Sequence, residues 1–130
     1  NQDLVFIIGK TKGHIGSSIY ENQILKINNG NPPPPIDLVL EKKHSQFVRH
    51  LIEQDKINAC HDLSDGGLLI ALFEMTSEKL GINIDLDDLK LANNLNDSNH
   101  LLFAEDQARY IIAANPEYEQ RHTDLLNGAL

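Results

Sequence analysis

Cysteine is nearly missing from this 130-residue chain: Cys60 stands alone and has no intramolecular partner. That excludes a disulfide-stapled scaffold and reads as a reduced, intracellular protein, with the cytoplasm as the expected compartment. Long apolar runs are also lacking. No stretch approaches the roughly 20 residues that a membrane span requires, and no charged n-region followed by an apolar segment opens the chain. Positive charge is scarce as well, with 11 Lys and Arg against 19 Asp and Glu and a net charge of −8. Without a Lys/Arg stripe to displace counterions, broad binding to a nucleic-acid backbone is excluded. A single phosphate is still compatible with such a chain, because a few backbone N–H groups can hold one.

What is present suffices for one packed core: 41% of the residues are hydrophobic, and residues 1–130 read as a single domain. The first residue is Asn1 rather than methionine, and the chain reads toward a strand at once, so a fragment of a longer multidomain protein is expected.

Leu4 to Ile8 is a β-branched apolar run stopped by Gly9, the pattern of a buried strand. Gly9, Gly13 and Gly16 then lead through Ser17-Ser18 into a short expected helix ending near Asn28-Asn29-Gly30. Gly9-Lys10-Thr11 imitates the end of a nucleotide P-loop, but Leu4 occupies the place of the required first glycine. Pro32 to Pro35 form a stiff surface crossover. Asp37 then caps a helix to about Asp55, with Leu40, Phe47, Val48, Leu51 and Ile52 on its buried stripe. His44 on that stripe reads as a packed, hydrogen-bonded histidine rather than a ligand.

A second buried strand is expected over Ile57 to Cys60, followed by a covered helix, "LLIALFEM", that Gly81 ends. "INIDLDDL" alternates with the period of a half-buried strand, "LANNLNDSN" reads as a polar loop, and "LLFAE" and "ARYIIAA" read as strands joined at a charged corner. Pro116 ends the last strand, and the tail from Glu117 is expected to be helical. The expected order is thus β-α-α-β-α-β-β-β. Asn96-Asp97-Ser98 is a formal glycosylation sequon that an intracellular location makes a chance match. Asp85, Asp87 and Asp88 lack the glycine and distant glutamate of a calcium loop and read as solvated. Cys60 lacks a histidine placed to activate it as a nucleophile.

Two polar groups carry candidate chemistry. In His61-Asp62-Leu63-Ser64-Asp65-Gly66-Gly67, Asp62 leaves a strand while Ser64, Asp65, Gly66 and Gly67 open a helix. Ligands of α/β folds gather at such strand tips, and a helix start with free N–H groups welcomes a phosphate if magnesium offsets the carboxylates. The competing reading is structural: Ser64 or Asp65 is the N-cap and the glycines ease a turn, which leaves Asp62 without a role. Glu105, Asp106 and Gln107 form the second group. They read either as an ordinary charged turn or as a rim where Glu105 and Asp62 jointly bind a hard cation.

Four segments in order, "GKTKGHIGSSIY", "PPPPIDLVLEKKHSQFVRHLI", "ACHDLSDGGLLIALFEM" and "LLFAEDQARYII", resemble the final domain of the large subunit of phosphoribosylformylglycinamidine synthase, over about Leu4 to Pro116. The resemblance implies a layered α/β/α sandwich with a mixed sheet and partial ferredoxin-like topology, continuing in relatives with another strand. It implies an ATP-dependent, magnesium-requiring ligase of purine biosynthesis that turns formylglycinamide ribonucleotide into the amidine with glutamine-derived ammonia. It also implies, as partners, N-terminal ATP-binding domains on the same chain, a glutaminase subunit and a small accessory subunit. By the same resemblance Asp62 is a metal-ligand candidate, and Ser64, Asp65, Gly66, Gly67, Glu105, Asp106 and Gln107 are ligand-binding candidates. No residue of this domain is assigned a catalytic role. His61 and Asp106 depart from the glutamine and serine of the substrate-contacting sister domain, and the extra charge at Asp106 is expected to weaken anion binding. Two outcomes follow: an auxiliary domain of the synthase, inactive alone, or a purely structural half of a pseudo-dimer. Membership of another branch of the superfamily, such as aminoimidazole ribonucleotide synthetase, is the remaining alternative.

Overall fold

The computed structural model describes residues 2–27 and 30–118. Strand β1 (Leu4–Ile8) leads through a glycine-bearing loop and a π-helical turn (Tyr20–Ile24) to an extended proline segment and helix α1 (Leu38–Glu53). Strand β2 (Ala59–Asp62), helices α2 (Gly67–Glu74), α3 (Leu86–Asn93) and α4 (Ser98–Phe103), and strand β3 (Tyr110–Ala114) follow, and a 3-10 turn (Pro116–Tyr118) closes the described part. Asn28 and Asn29, where the first helix was expected to end, and most of the expected helical tail lie outside the described residues.

The sheet order is β1-β3-β2, with β3 antiparallel to both neighbours. The two outer strands therefore run the same way and are joined by α1, a split β-α-β unit with the last strand inserted between them. This is part of a ferredoxin-like arrangement, and the sheet among the described residues is wholly antiparallel rather than mixed.

Period-two alternation on β3 builds a layer on each face. Ile111 points into a cluster with Leu63, Leu68, Ala71 and Leu72, against which Ile7 packs. Ile112 points the other way, into Ile8, Val48 and Leu51, with Phe6 and Phe47 beside them. Helix α1 thus covers one face and α2 the other, which is the expected α/β/α layering. Asp37 caps α1 as its position predicts, accepting N–H bonds from Val39 and Leu40. Of the expected stripe, Val48 and Leu51 are buried, whereas Ile52 is exposed.

Several elements differ from the sequence reading. The second strand lies two residues later than expected, and among the described residues it is an exposed edge strand flanked by β3 alone. Helix α2 ends at Glu74 rather than Gly81, where Thr76 Oγ1 donates to the Phe73 carbonyl and Ser77 and Leu80 close a tight turn. It is also only half covered, since Ile70 and Phe73 are exposed.

The segment from Ile82 to Leu86 is no strand. Ile82 and Ile84 still pack against the α2-side core, but no strand pairs with them, and Asp85 accepts N–H bonds from Asp87 and Asp88 to start α3. Likewise "LLFAE" is mostly helical: Asp97 accepts N–H bonds from Asn99 and His100 and starts α4 inside the expected polar loop. In both places an aspartate cap outweighs a strand-like apolar pattern. The charged corner consequently joins a helix to a strand.

Candidate functional site

The Ser64–Gly67 turn is shaped by its glycines. Gly66 is the α2 N-cap with φ +80°, and it has no side chain that could cap the helix. Gly67 has φ +67°, and a Cβ on it would lie 2.5 Å from the Ala104 carbonyl oxygen, so the turn rests directly on the end of α4. Neither Ser64 nor Asp65 caps the helix by its side chain. The Ser64 carbonyl accepts the Gly67 N–H at 3.1 Å, while Glu105 Oε1, distant in sequence, accepts the Gly66 N–H at 2.8 Å.

The same Glu105 oxygen accepts the Ile19 N–H at 2.9 Å, so one carboxylate joins the turn to the glycine loop between β1 and the π-helical turn. Its own backbone N–H donates to the His14 carbonyl at 3.0 Å. The next side chain, Asp106, is buried, and its Oδ2 accepts the N–H groups of Lys12 at 2.7 Å and Gly13 at 2.9 Å. Gln107 is exposed and donates from Nε2 to the Glu105 carbonyl at 3.1 Å. Asp106 therefore presents its charge to a backbone loop inside the fold.

Beneath the corner lies a residue that the sequence reading did not single out. Arg109 is 2% exposed, and its guanidinium donates to the Asp106 carbonyl at 2.9 Å, Thr11 Oγ1 at 3.0 Å and the Ala104 carbonyl at 2.6 Å. Burial lowers its pKa, against the opposing pull of the Asp106 and Glu105 charges. Thr11 is held from its other side, donating its N–H to Asn93 Oδ1 at 2.9 Å. The available signal was a cation immediately ahead of the buried "YIIAA" run, where a side chain must enter the core or turn from it.

Asp62 lies apart from this network. It ends β2 with a side chain that is 65% exposed, 3.8 Å from His61 Nδ1, while His61 Nε2 lies 3.2 Å from Glu74. Among the described residues no three His, Cys, Asp or Glu side chains form a metal-holding group. An exposed single carboxylate nevertheless suits magnesium, which keeps several waters and takes its other ligands from phosphate. His44 Nδ1 donates to the Ala108 carbonyl at 2.7 Å, a structural histidine as expected.

Two titrating groups lie on the strands nearby. The Cys60 thiol lies at the exposed edge yet is pushed up by partial desolvation and then by the Asp62 charge, which suits an inert cysteine. Tyr110, opposite Asp62 in the register, is pushed up to about 12 by burial and by its hydrogen bond to Glu41. A separate cleft of about 690 Å³ follows the free edge of β1 between α1 and the α2–α3 side, lined largely by Val5, Phe6, Phe47, Leu68 and Ile84. It contains none of the predicted site residues.

A sequence model of the C-terminal domain of AIR synthase related proteins matches residues 2–130. The chain belongs to that family. Among its curated relatives, the phosphoribosylformylglycinamidine synthase subunit PurL of Bartonella quintana is 49% identical over 117 residues, covering 89% of this chain and 15% of the relative. The corresponding subunit of Bartonella henselae is 48% identical over 118 residues, again 89% of this chain and 15% of the relative. The AIR synthase related domain described here thus spans about 15% of the length of these relatives. Among solved structures, PurLQS from Thermotoga maritima superposes with a TM-score of 0.68 at 19% identity, over 98% of this chain and 20% of that one. T. maritima PurL complexed with FGAR gives 0.62 at 16% identity, over 98% and 22%. These likenesses establish the fold. No helix among the described residues is long and apolar enough to cross a membrane.

Proposed function

We propose that this chain is the C-terminal domain of the large subunit of phosphoribosylformylglycinamidine synthase, an ATP-dependent C–N ligase of purine biosynthesis working in the cytoplasm. The observation that carries this reading is the 49% identity to a PurL subunit over 89% of the chain. In the reaction the amide oxygen of formylglycinamide ribonucleotide takes the γ-phosphoryl group of ATP. Glutamine-derived ammonia then displaces that oxygen as phosphate, leaving the amidine and ADP. The ATP-binding domains of the same polypeptide, a glutaminase subunit and a small accessory subunit complete the machinery.

Within this assembly the ligand-facing part of the domain is the loop cluster of Ser64, Asp65, Gly66, Gly67 and Gln107, with Glu105 and Asp106 bonded to the backbone that carries it. Its support is geometric: one corner hydrogen-bonds both the Ser64–Gly67 turn and the glycine loop. Asp62 is the residue for magnesium, since its carboxylate is 65% exposed and reachable by a hydrated cation. Magnesium, when bound, neutralises nucleotide phosphates.

The test uses the full-length polypeptide carrying this domain. With formylglycinamide ribonucleotide, ATP and ammonia it forms the amidine, a version truncated before this domain does not, and adding the domain back restores turnover. Turnover by these 130 residues alone would contradict the proposal.

A second reading has its own observation. Phe73 on α2 is 73% exposed beside the exposed Ile70, an apolar face of the kind a sister domain covers in a pseudo-dimer. Calorimetry of the full subunit with magnesium and ADP separates the two, because unchanged binding in Asp62→Ala favours the structural role.

A further inference from the structure

We propose that the corner from Ala104 to Arg109 is a positioning device in which Glu105 and Asp106 act as hydrogen-bond acceptors that set the glycine loop against the Ser64–Gly67 turn, and not as ligands of a cation. The proposal rests on the synthase reading above and assigns roles to the two residues that support that loop cluster.

Backbone donors occupy one oxygen of each carboxylate. Glu105 Oε1 already accepts two N–H groups, from Ile19 and Gly66, and Asp106 Oδ2 accepts two more, from Lys12 and Gly13. Asp106 is 3% exposed, so a hydrated cation has no approach to it. Hydrogen bonds from backbone N–H groups to a carboxylate are among the stronger ones, and they fix direction as well as distance. The four donors belong to two separate chain segments, and the two acceptors are adjacent in sequence. The corner therefore acts as a spacer.

Arg109 keeps the spacer stiff. Its three donors go to Asp106 O and Ala104 O of the corner itself and to Thr11 of the glycine loop. A planar guanidinium with that fork cannot tilt without breaking more than one bond. The carboxylates thus extend from a backbone that is itself held at both ends. A displacement of about 1 Å in such a loop costs a reaction on the order of a hundredfold, so the device matters to chemistry it does not touch.

The test separates an acceptor from a charge. Glu105→Gln keeps the acceptor oxygen and loses the charge, Glu105→Asp keeps the charge and shortens the reach, and Glu105→Ala loses both. In the full-length polypeptide assayed with ATP and ammonia, Glu105→Gln is expected to keep kcat/KM within about fivefold of the parent. Its half-saturating magnesium concentration stays unchanged. Glu105→Asp and Glu105→Ala are expected to lose roughly ten- to a hundredfold in kcat/KM. Rescue by glutamine but not by aspartate is the signature. Equal loss in Glu105→Gln and Glu105→Ala, or a shifted magnesium requirement in Glu105→Gln, overturns the proposal.

Amide hydrogen exchange gives a readout independent of turnover. The Ile19 and Gly66 amides lose protection in Glu105→Ala and keep it in Glu105→Gln, while the Lys12 and Gly13 amides respond in the same way to Asp106→Ala and Asp106→Asn. Unaltered exchange at these amides in both alanine variants would overturn the positioning role. Absence of amidine formation by the parent polypeptide would instead defeat the synthase reading and leave the exchange result standing.

Discussion

Glu105 Oε1 accepts the backbone N–H of Gly66 at 2.8 Å, so the start of α2 is fixed by a carboxylate from the far side of α3 and α4 rather than by a neighbour in sequence. The turn is correspondingly intolerant of side chains.

Gly67→Ala is the sharpest probe of that intolerance. The residue has φ +67°, and its new Cβ would sit 2.5 Å from the Ala104 oxygen and 2.8 Å from the Phe103 carbonyl carbon, both backbone atoms. Left-handed strain alone costs about 1–3 kcal/mol, and the clash adds to it. Urea unfolding should show an unfolding free energy lower by at least that much. A variant as stable as the parent would mean that the turn does not rest on α4.

Arg109→Met should also destabilise the fold, for a different reason. Methionine fills much of the space, but the buried Thr11 hydroxyl and Ala104 carbonyl lose their donor. Each unsatisfied buried group costs about 1–3 kcal/mol. Arg109→Lys should recover only part of the loss, because one ammonium cannot reproduce the fork. Chemical denaturation of the three proteins checks the order Arg, then Lys, then Met.

Alkaline unfolding should report on Tyr110. Its hydroxyl is pushed up to about 12, first by burial and then by donation to Glu41, with the Asp62 charge adding and Ser45 opposing. An unfolded tyrosine titrates near about 10, so the unfolded chain loses its proton first. The Tyr110 contribution is therefore complete below pH ~10 and fades as pH rises to about 12. Unfolding free energies measured across that window should fall less steeply in Tyr110→Phe, and an identical slope would contradict the assignment.

Cys60 should alkylate slowly at neutral pH. Partial desolvation raises its pKa and the Asp62 charge raises it further, both of which reduce the thiolate. Asp62→Asn removes only the second cause, so iodoacetamide should react somewhat faster with that variant than with the parent. A slower reaction would show that Asp62 does not face the thiol.

The elements that the sequence revealed were those in which local signal and tertiary environment agree. Leu4–Ile8 is an apolar β-branched run that the fold buries, and Asp37 after four prolines is a cap that nothing opposes. The misread stretches had two signals in conflict. Ile82 and Ile84 alternate like a strand because both reach the core, yet the only residues that decide the backbone there are Asp85 and the two N–H groups it accepts. At Asp97 the same conflict was hidden inside a polar loop. The candidate loops were legible by residue type, since Ser64–Gly67 and Glu105–Gln107 do meet. Their division of labour was not, because it depends on the long-range bonds to Ile19, Lys12 and Gly13 and on Arg109 beneath.

The order of strands in space also has a consequence for synthesis. Each outer strand hydrogen-bonds only to Tyr110–Ala114, the last strand described, and Leu4 waits for Ala114. Among the described residues neither outer strand has a partner while the ribosome is still making the helices, so the nascent chain carries an unmated apolar β1 and an unmated β2 until β3 emerges. A premature stop before Tyr110 would thus leave both outer strands without the strand that joins them, and such a product is one for chaperones and proteases.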